Sequence, residues 1–166
     1  GLGHTARAAL DDGRVRSVRV IEALGPVIDW HRRGLVPLGA GLAGDPQCAF
    51  VEGDFFAMAA DEAGFDTAAP GRRFDAVLLD IDHSPGALLH AAHAGFYSAE
   101  GLPRLARWIR PGGVFAMWSD AGPEEAFLAA LRTAFAGAEA QVVTFENPLQ
   151  GRDASCTIYV ARAREK

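Results

Sequence analysis

Three groups of residues have the types and spacing for chemistry. The first is Gly1-Leu2-Gly3-His4-Thr5-Ala6, a G-x-G-x-x-A run. Glycines let a backbone approach a ligand closely, and the helix start behind them offers unpaired N–H groups. Glu22 stands 21 residues after Gly1, at the end of the next predicted strand. A carboxylate there reaches ribose hydroxyls. Gly1, Gly3 and Glu22 are thus nucleotide-binding candidates; the plain alternative is a tight turn and a surface Glu.

The second group is Asp54-Phe55, just past a short predicted strand. Asp54 could accept a hydrogen bond from an adenine amine and Phe55 could stack on the ring, or Asp54 could simply cap the next helix. The third is Asp80-Ile81-Asp82-His83 at the end of the most apolar strand. Residues two apart on a strand share a face, so the carboxylates of Asp80 and Asp82 converge if the strand continues. Such a pair can hold a cationic amine or share a proton, and His83 adds an imidazole beside it. Loop capping is the alternative. Adding His90 and His93 suggests a divalent-ion site, but these two read as one face of a helix rich in Ala and Leu, so no metal is assigned. His4 and His31 show no partner in the sequence.

These residues need a frame. Strand-like and helix-like segments alternate throughout. Helices are predicted over residues 5–10, 26–33, 102–109 and 123–135, the last with Phe127, Leu131 and Phe135 four apart on one face. Strands are predicted over 18–21, 49–51, 74–79 and 114–118, and Arg110-Pro111-Gly112-Gly113 ends one helix and launches the strand after it. The continuously apolar 74–79 segment reads as a central strand buried on both faces. Strands 141–145 and 157–161 have only a turn between them and should pair antiparallel.

The expected fold class is α/β: a Rossmann-like three-layer sandwich, its sheet mostly parallel with an antiparallel C-terminal strand pair, in one domain over residues 1–166. A glycine loop of this kind normally follows a strand. The first strand is therefore expected outside this sequence, or its slot is filled by another segment.

With 166 residues there is material for a substantial core. A net charge of -5 and no basic run argue against nucleic acid as a partner. No apolar stretch approaches the roughly 20 residues of a membrane helix, so no membrane association is expected. No signal peptide is visible, and Cys48 and Cys156 lie far apart without metal-ligand spacing, which fits reduced thiols in the cytoplasm.

Taken together, the chain resembles the spermidine synthase-like proteins, which have the fold of the class I S-adenosylmethionine-dependent methyltransferases. The resemblance rests on the glycine loop, Val15 to Glu22, Gly53-Asp54, Phe74 to Asp82, Phe96-Tyr97, Arg110-Pro111-Gly112-Gly113 and the terminal strand pair. It implies a pocket for S-adenosylmethionine or its decarboxylated form, held by Gly1, Gly3, Glu22, Asp54 and Phe55. It also implies catalysis by Asp80 with Asp82 and His83. Departures are plain. Leu2 stands where aminopropyltransferases carry an Asp. Their strand-end acids are spaced D-x-x-D, whereas His83 takes the second position here and Asp82 comes one residue early. No counterpart of their N-terminal β-domain, which helps form the substrate site, is expected within residues 1–166.

The expected function is therefore a transferase acting on a small-molecule substrate, an amine among the candidates. An NAD-dependent oxidoreductase and a non-catalytic nucleoside-binding or dimerisation member of the fold are the alternatives, and self-association as a homodimer is left open.

Overall fold

A computed structural model describes residues 1–165. The chain forms two compact units, Gly1–Arg72 and Arg73–Lys166. The strands correspondingly make two sheets rather than one, because among the described residues no strand hydrogen-bonds both to a strand of one unit and to a strand of the other.

The first unit contains α1 (His4–Asp11), β1 (Val18–Glu22), α2 (Gly25–Arg32), α3 (Gly39–Ala43), β2 (Cys48–Glu52) and α4 (Phe55–Ala60). β1 and β2 run parallel, paired from Val18 with Cys48 to Glu22 with Glu52. Ala6 and Leu10 of α1 lie four apart, on one helix face. With Leu42 they form a buried cluster against Val15, Val18, Val20, Cys48 and Phe50. Pro26 sits in the first turn of α2, where its missing N–H costs nothing. Asp66, nearly fully buried, is held by the guanidinium groups of Arg72 at 3.0 Å and Arg19 at 3.4 Å.

The second unit contains β3 (Phe74–Leu79), a five-residue 3-10 turn (Ala91–Gly95), α5 (Leu102–Ala106), β4 (Ile109–Ser119), α6 (Glu125–Ala134), β5 (Gly137–Asn147) and β6 (Arg152–Arg162). The sheet order is β3-β4-β6-β5, with β3 parallel to β4 and the β4–β6 and β6–β5 pairs antiparallel. The terminal antiparallel pair is as expected, and its strands are longer than the apolar runs alone suggested. Gly151, at φ 62°, closes the hairpin. Leu102, Leu105, Phe115, Met117, Leu131, Phe135 and Tyr159 are almost wholly buried, so α6 packs its predicted stripe into this core.

Three local expectations change. Residues 107–109 leave the predicted helix, and β4 already begins at Ile109. Its register against β3 jumps between the Phe74–Ile109 and Ala76–Val114 pairs, so 110–113 bulges out of the ladder. Gly112 turns at φ 72°, and a Cβ on Gly113 would lie 2.7 Å from the Asp75 carbonyl oxygen. The glycines thus permit a bulge rather than preceding a strand. β3, in turn, is not buried on both faces: Val77 and Leu79 are covered while Ala76 and Leu78 are exposed. It is an edge strand with one packed face, and apolarity alone does not reveal that. No helix among the described residues is long and apolar enough to cross a membrane.

Candidate functional site

In the first unit the glycine loop rests on a histidine. Gly3 is the N-cap of α1 at φ 89°, and no side chain caps the helix. A Cβ at Gly3 would lie 2.3 Å from Leu42 Cδ1 and 2.9 Å from His31 Cε1. Glycine is required here for both conformation and space. His31, 1% exposed, donates from Nε2 to the Gly1 carbonyl at 2.9 Å. A carbonyl only accepts, so the proton is on Nε2 and the Nδ1 lone pair is left buried without a partner. The His31 ring also packs 4.8 Å from Phe50. Nothing in the spacing of His31 marks it, because only the packing of α2 against the loop brings it there.

Glu22 ends β1 as predicted. Its carboxylate accepts from the Leu24 N–H at 3.0 Å and from the amino group of Gly1. The Gly53 N–H donates to the Glu22 carbonyl at 3.1 Å, setting Asp54 beside the end of β1. Gly1, Gly3, Glu22 and Asp54 therefore gather at the carboxyl ends of parallel strands, where open α/β sheets bind ligands.

Asp54 and Phe55 also have structural duties. Asp54 Oδ1 accepts from the Phe56 N–H at 2.8 Å and the Ala57 N–H at 3.3 Å, capping α4. Phe55 is buried, its ring stacked on Phe65 at 4.9 Å. Phe55 therefore sits in the core, with one ring face taken by Phe65, whereas the sequence pattern places it on an adenine ring.

In the second unit the expected convergence of Asp80 and Asp82 does not occur. β3 stops at Leu79 and the chain bends at Asp82, so the two-residue repeat is lost. Asp80 is exposed, and among the described residues it makes no hydrogen bond or ion pair. Asp82 is buried with no accessible side chain. It accepts from the Leu89 N–H at 2.7 Å, from His93 Nδ1 at 2.9 and 3.0 Å, and from the Tyr97 hydroxyl at 2.8 Å. Burial first, and then the neighbouring carboxylate, push the Tyr97 phenol far up, so it stays a protonated donor. Asp82 thus offers no accessible side-chain atom to a molecule from outside.

His83 points outward, with Nδ1 3.5 Å from an Asp120 oxygen at the end of β4. His90 and His93 are not on an α-helix. His90 caps the 3-10 turn by accepting from the Ala92 N–H, and the two imidazole rings lie 5.8 Å apart. Among the described residues no three His, Cys, Asp or Glu side chains are grouped to hold a metal ion. A shallow cleft of about 490 Å³ opens beside Tyr97, lined also by Pro85, Glu124, Phe127 and Thr133. Here the sequence missed His93 and Tyr97 as partners of Asp82. Only the i, i+4 interval of His93 and Tyr97 hinted that the two share a side.

No family model matches the sequence. The fold is nonetheless shared with solved structures. Spermidine synthase from Thermotoga maritima aligns at TM-score 0.66 and 17% identity over 99% of this chain and 52% of that one, so the chain spans about half its length. Human methyltransferase-like protein 13, solved with SAH, aligns at TM-score 0.68 and 16% identity over 100% of this chain and 69% of that one. The 1,6-didemethyltoxoflavin-N1-methyltransferase of Burkholderia thailandensis, also with S-adenosylhomocysteine, aligns at TM-score 0.61 and 17% identity over 99% and 68%. The chain has the mixed α/β, Rossmann-like fold that spermidine synthases share with the S-adenosylmethionine-dependent methyltransferases.

Proposed function

We propose that the chain binds an S-adenosylmethionine-type nucleoside and serves in transfer of a methyl or aminopropyl group to a small protic acceptor. The observation that carries this is the Gly1–Gly3 loop: a left-handed glycine opens an eight-residue helix without a side-chain cap, beside the Glu22 carboxylate. Such a turn leaves N–H groups for an anionic or polar ligand, and a side chain at Gly3 would fill it. Two of the similar structures hold S-adenosylhomocysteine. When bound, the co-substrate supplies an electrophilic carbon attached to a positively charged sulfur.

The chain's own residues do the remaining work. Glu22 offers its carboxylate to ribose hydroxyls, and Asp54 keeps Oδ2 for a base amine while Oδ1 caps α4. In the second unit Asp80, exposed and without a partner among the described residues, and His83 beside Asp120 are the polar groups open to an acceptor. Fixed placement of such groups is the main catalytic resource of a transfer without a covalent enzyme intermediate.

Calorimetric titration tests the reading. S-adenosylhomocysteine is expected to bind and NADH not to. Binding of NADH alone would shift the assignment to an oxidoreductase, and binding of neither to a non-catalytic module. Asp80→Asn should keep nucleoside affinity within about twofold and lower turnover about a hundredfold, the scale of one lost proton-transfer or orienting group.

A further inference from the structure

We propose that β5 is a self-association surface: it pairs antiparallel, about a two-fold axis, with the same strand of a second copy of this chain. β5 ends the sheet order β3-β4-β6-β5, and β6 is its one strand partner among the described residues. The register fixes which way its backbone groups turn. The Ala163 N–H donates to the Gly113 carbonyl in line with the β4–β6 register. Residue 163 and every second residue before it in β6 therefore turn N–H and C=O toward β4. The even residues of β6 then face β5, in agreement with the bond from the Ala136 N–H to the Arg162 carbonyl. Through the β5–β6 register they meet the odd residues of β5. Ala140, Val142, Thr144 and Glu146 thus aim N–H and C=O outward, and among the described residues nothing bonds to these groups.

Two further features mark this edge. The β4–β6 ladder stops at the Ser119–Thr157 pair, so β5 from Val143 to Asn147 runs beside a part of β6 that β4 does not back. A two-stranded ribbon is marginal alone and gains stability from a third strand. Val142, Val143 and Phe145 stand 57%, 43% and 47% exposed there, on both faces of the ribbon. The edge is also unguarded. Its register with β6 runs without a bulge, and residues 140–145 contain no proline and no charge. Bulges, prolines and charges are the devices by which exposed edges repel other strands.

The residues of β5 fit their own copy. An axis between Val142 and Val143 would set Glu139 against Glu146 and oppose inward to outward backbone groups, which excludes it. An axis through Val142 lays Glu139 against Phe145. An axis through Val143 sets Val143 opposite itself, Val142 opposite Thr144, Gln141 opposite Phe145 and Glu139 opposite Asn147. No like charges then face each other, outward groups meet outward groups, and the ribbon gains further strands. The uncharged 140–145 stretch gives a charged foreign strand nothing to pair with. This association is independent of the transferase reading and needs no nucleoside.

Sedimentation velocity from about 1 µM to about 1 mM, the span of weak interfaces, tests it. The dimer fraction is expected to rise with concentration; a monomer throughout would overturn the proposal. Val143→Lys sets like charges across the axis and should weaken association about tenfold. Thr144→Pro removes one outward donor from each copy and leaves the β5–β6 bonds in place. It should also weaken association about tenfold, while Thr144→Ala stays within about twofold. Circular dichroism checks that each variant keeps its sheet. Amide hydrogen exchange locates the contact. On concentration the Ala140, Val142 and Thr144 amides should gain protection and those of Val143 and Phe145 should not change. A dimer that leaves the even amides unprotected, or that survives both Val143→Lys and Thr144→Pro, would show that another surface is responsible and end the assignment. If either substitution unfolds the hairpin, exchange in the unaltered chain decides.

Discussion

The two units hold their candidate residues by opposite means. In residues 1–72 the candidate site is mostly backbone: a glycine turn, a helix start, and strand ends that aim Glu22 and Asp54. The buried His31 beneath it bonds to the Gly1 carbonyl and borders the space that a Gly3 side chain would fill. In residues 73–166 side chains do the positioning. Asp82 gathers an imidazole, a phenol and an amide around one buried carboxylate. A backbone site tolerates no added atom, whereas a side-chain site tolerates no lost charge partner. The contrast predicts which substitutions hurt and by how much.

The largest effect should come from the packing behind the second region. Phe115 is fully buried and stacks on Phe135 at 5.9 Å. Phe115→Ala should cost about 4 kcal/mol in urea unfolding, the range for a large ring removed from a core. Gly3→Ala should follow at about 3 kcal/mol, because it combines a left-handed residue with overpacking. It should also abolish nucleoside binding in calorimetry; a loss much below 1 kcal/mol would show that His31 and Leu42 yield easily, and the contrast would fail. Asp82→Asn should cost about 2 kcal/mol by leaving buried donors badly matched. Removing only the α4 cap with Asp54→Ala should cost about 1 kcal/mol.

The smallest effect is a pH dependence in the first unit. Burial pushes the Asp66 carboxyl up, but Arg72, the Ala68 N–H and Arg19 outweigh it and hold the group below its ordinary value. With the folded value depressed, the stabilisation is present above the ordinary carboxylate range near about 3.9. It is lost as pH falls through the lower folded value. Arg72→Met should flatten the acid limb of the thermal-unfolding profile; an unchanged limb would remove this cluster from the acid response.

Much of the frame was legible in the chain order of residue types. Alternating apolar segments marked every long strand, and the four-residue repeat of Phe127, Leu131 and Phe135 marked α6. The glycine loop and Glu22 were readable because local sequence dictates backbone: glycine turns where other residues are strained, and a β-branched run ends where its acid begins. The strand-end acids were misread for a reason of the same kind. Side-chain alternation holds only while a strand continues, and the bend after Leu79 sends Asp80 to solvent and Asp82 into the core.

Thus the sequence by itself determined the α/β class, the glycine turn, the acid at the end of β1 and the closing antiparallel pair. Tertiary structure alone decided that His31 supports the loop, that Phe55 is core, and that Asp82 meets His93 and Tyr97 instead of Asp80. Periodicity and turn chemistry are encoded within a few residues. A buried carboxylate finds its donors only when the folded chain brings distant residues into the space around it.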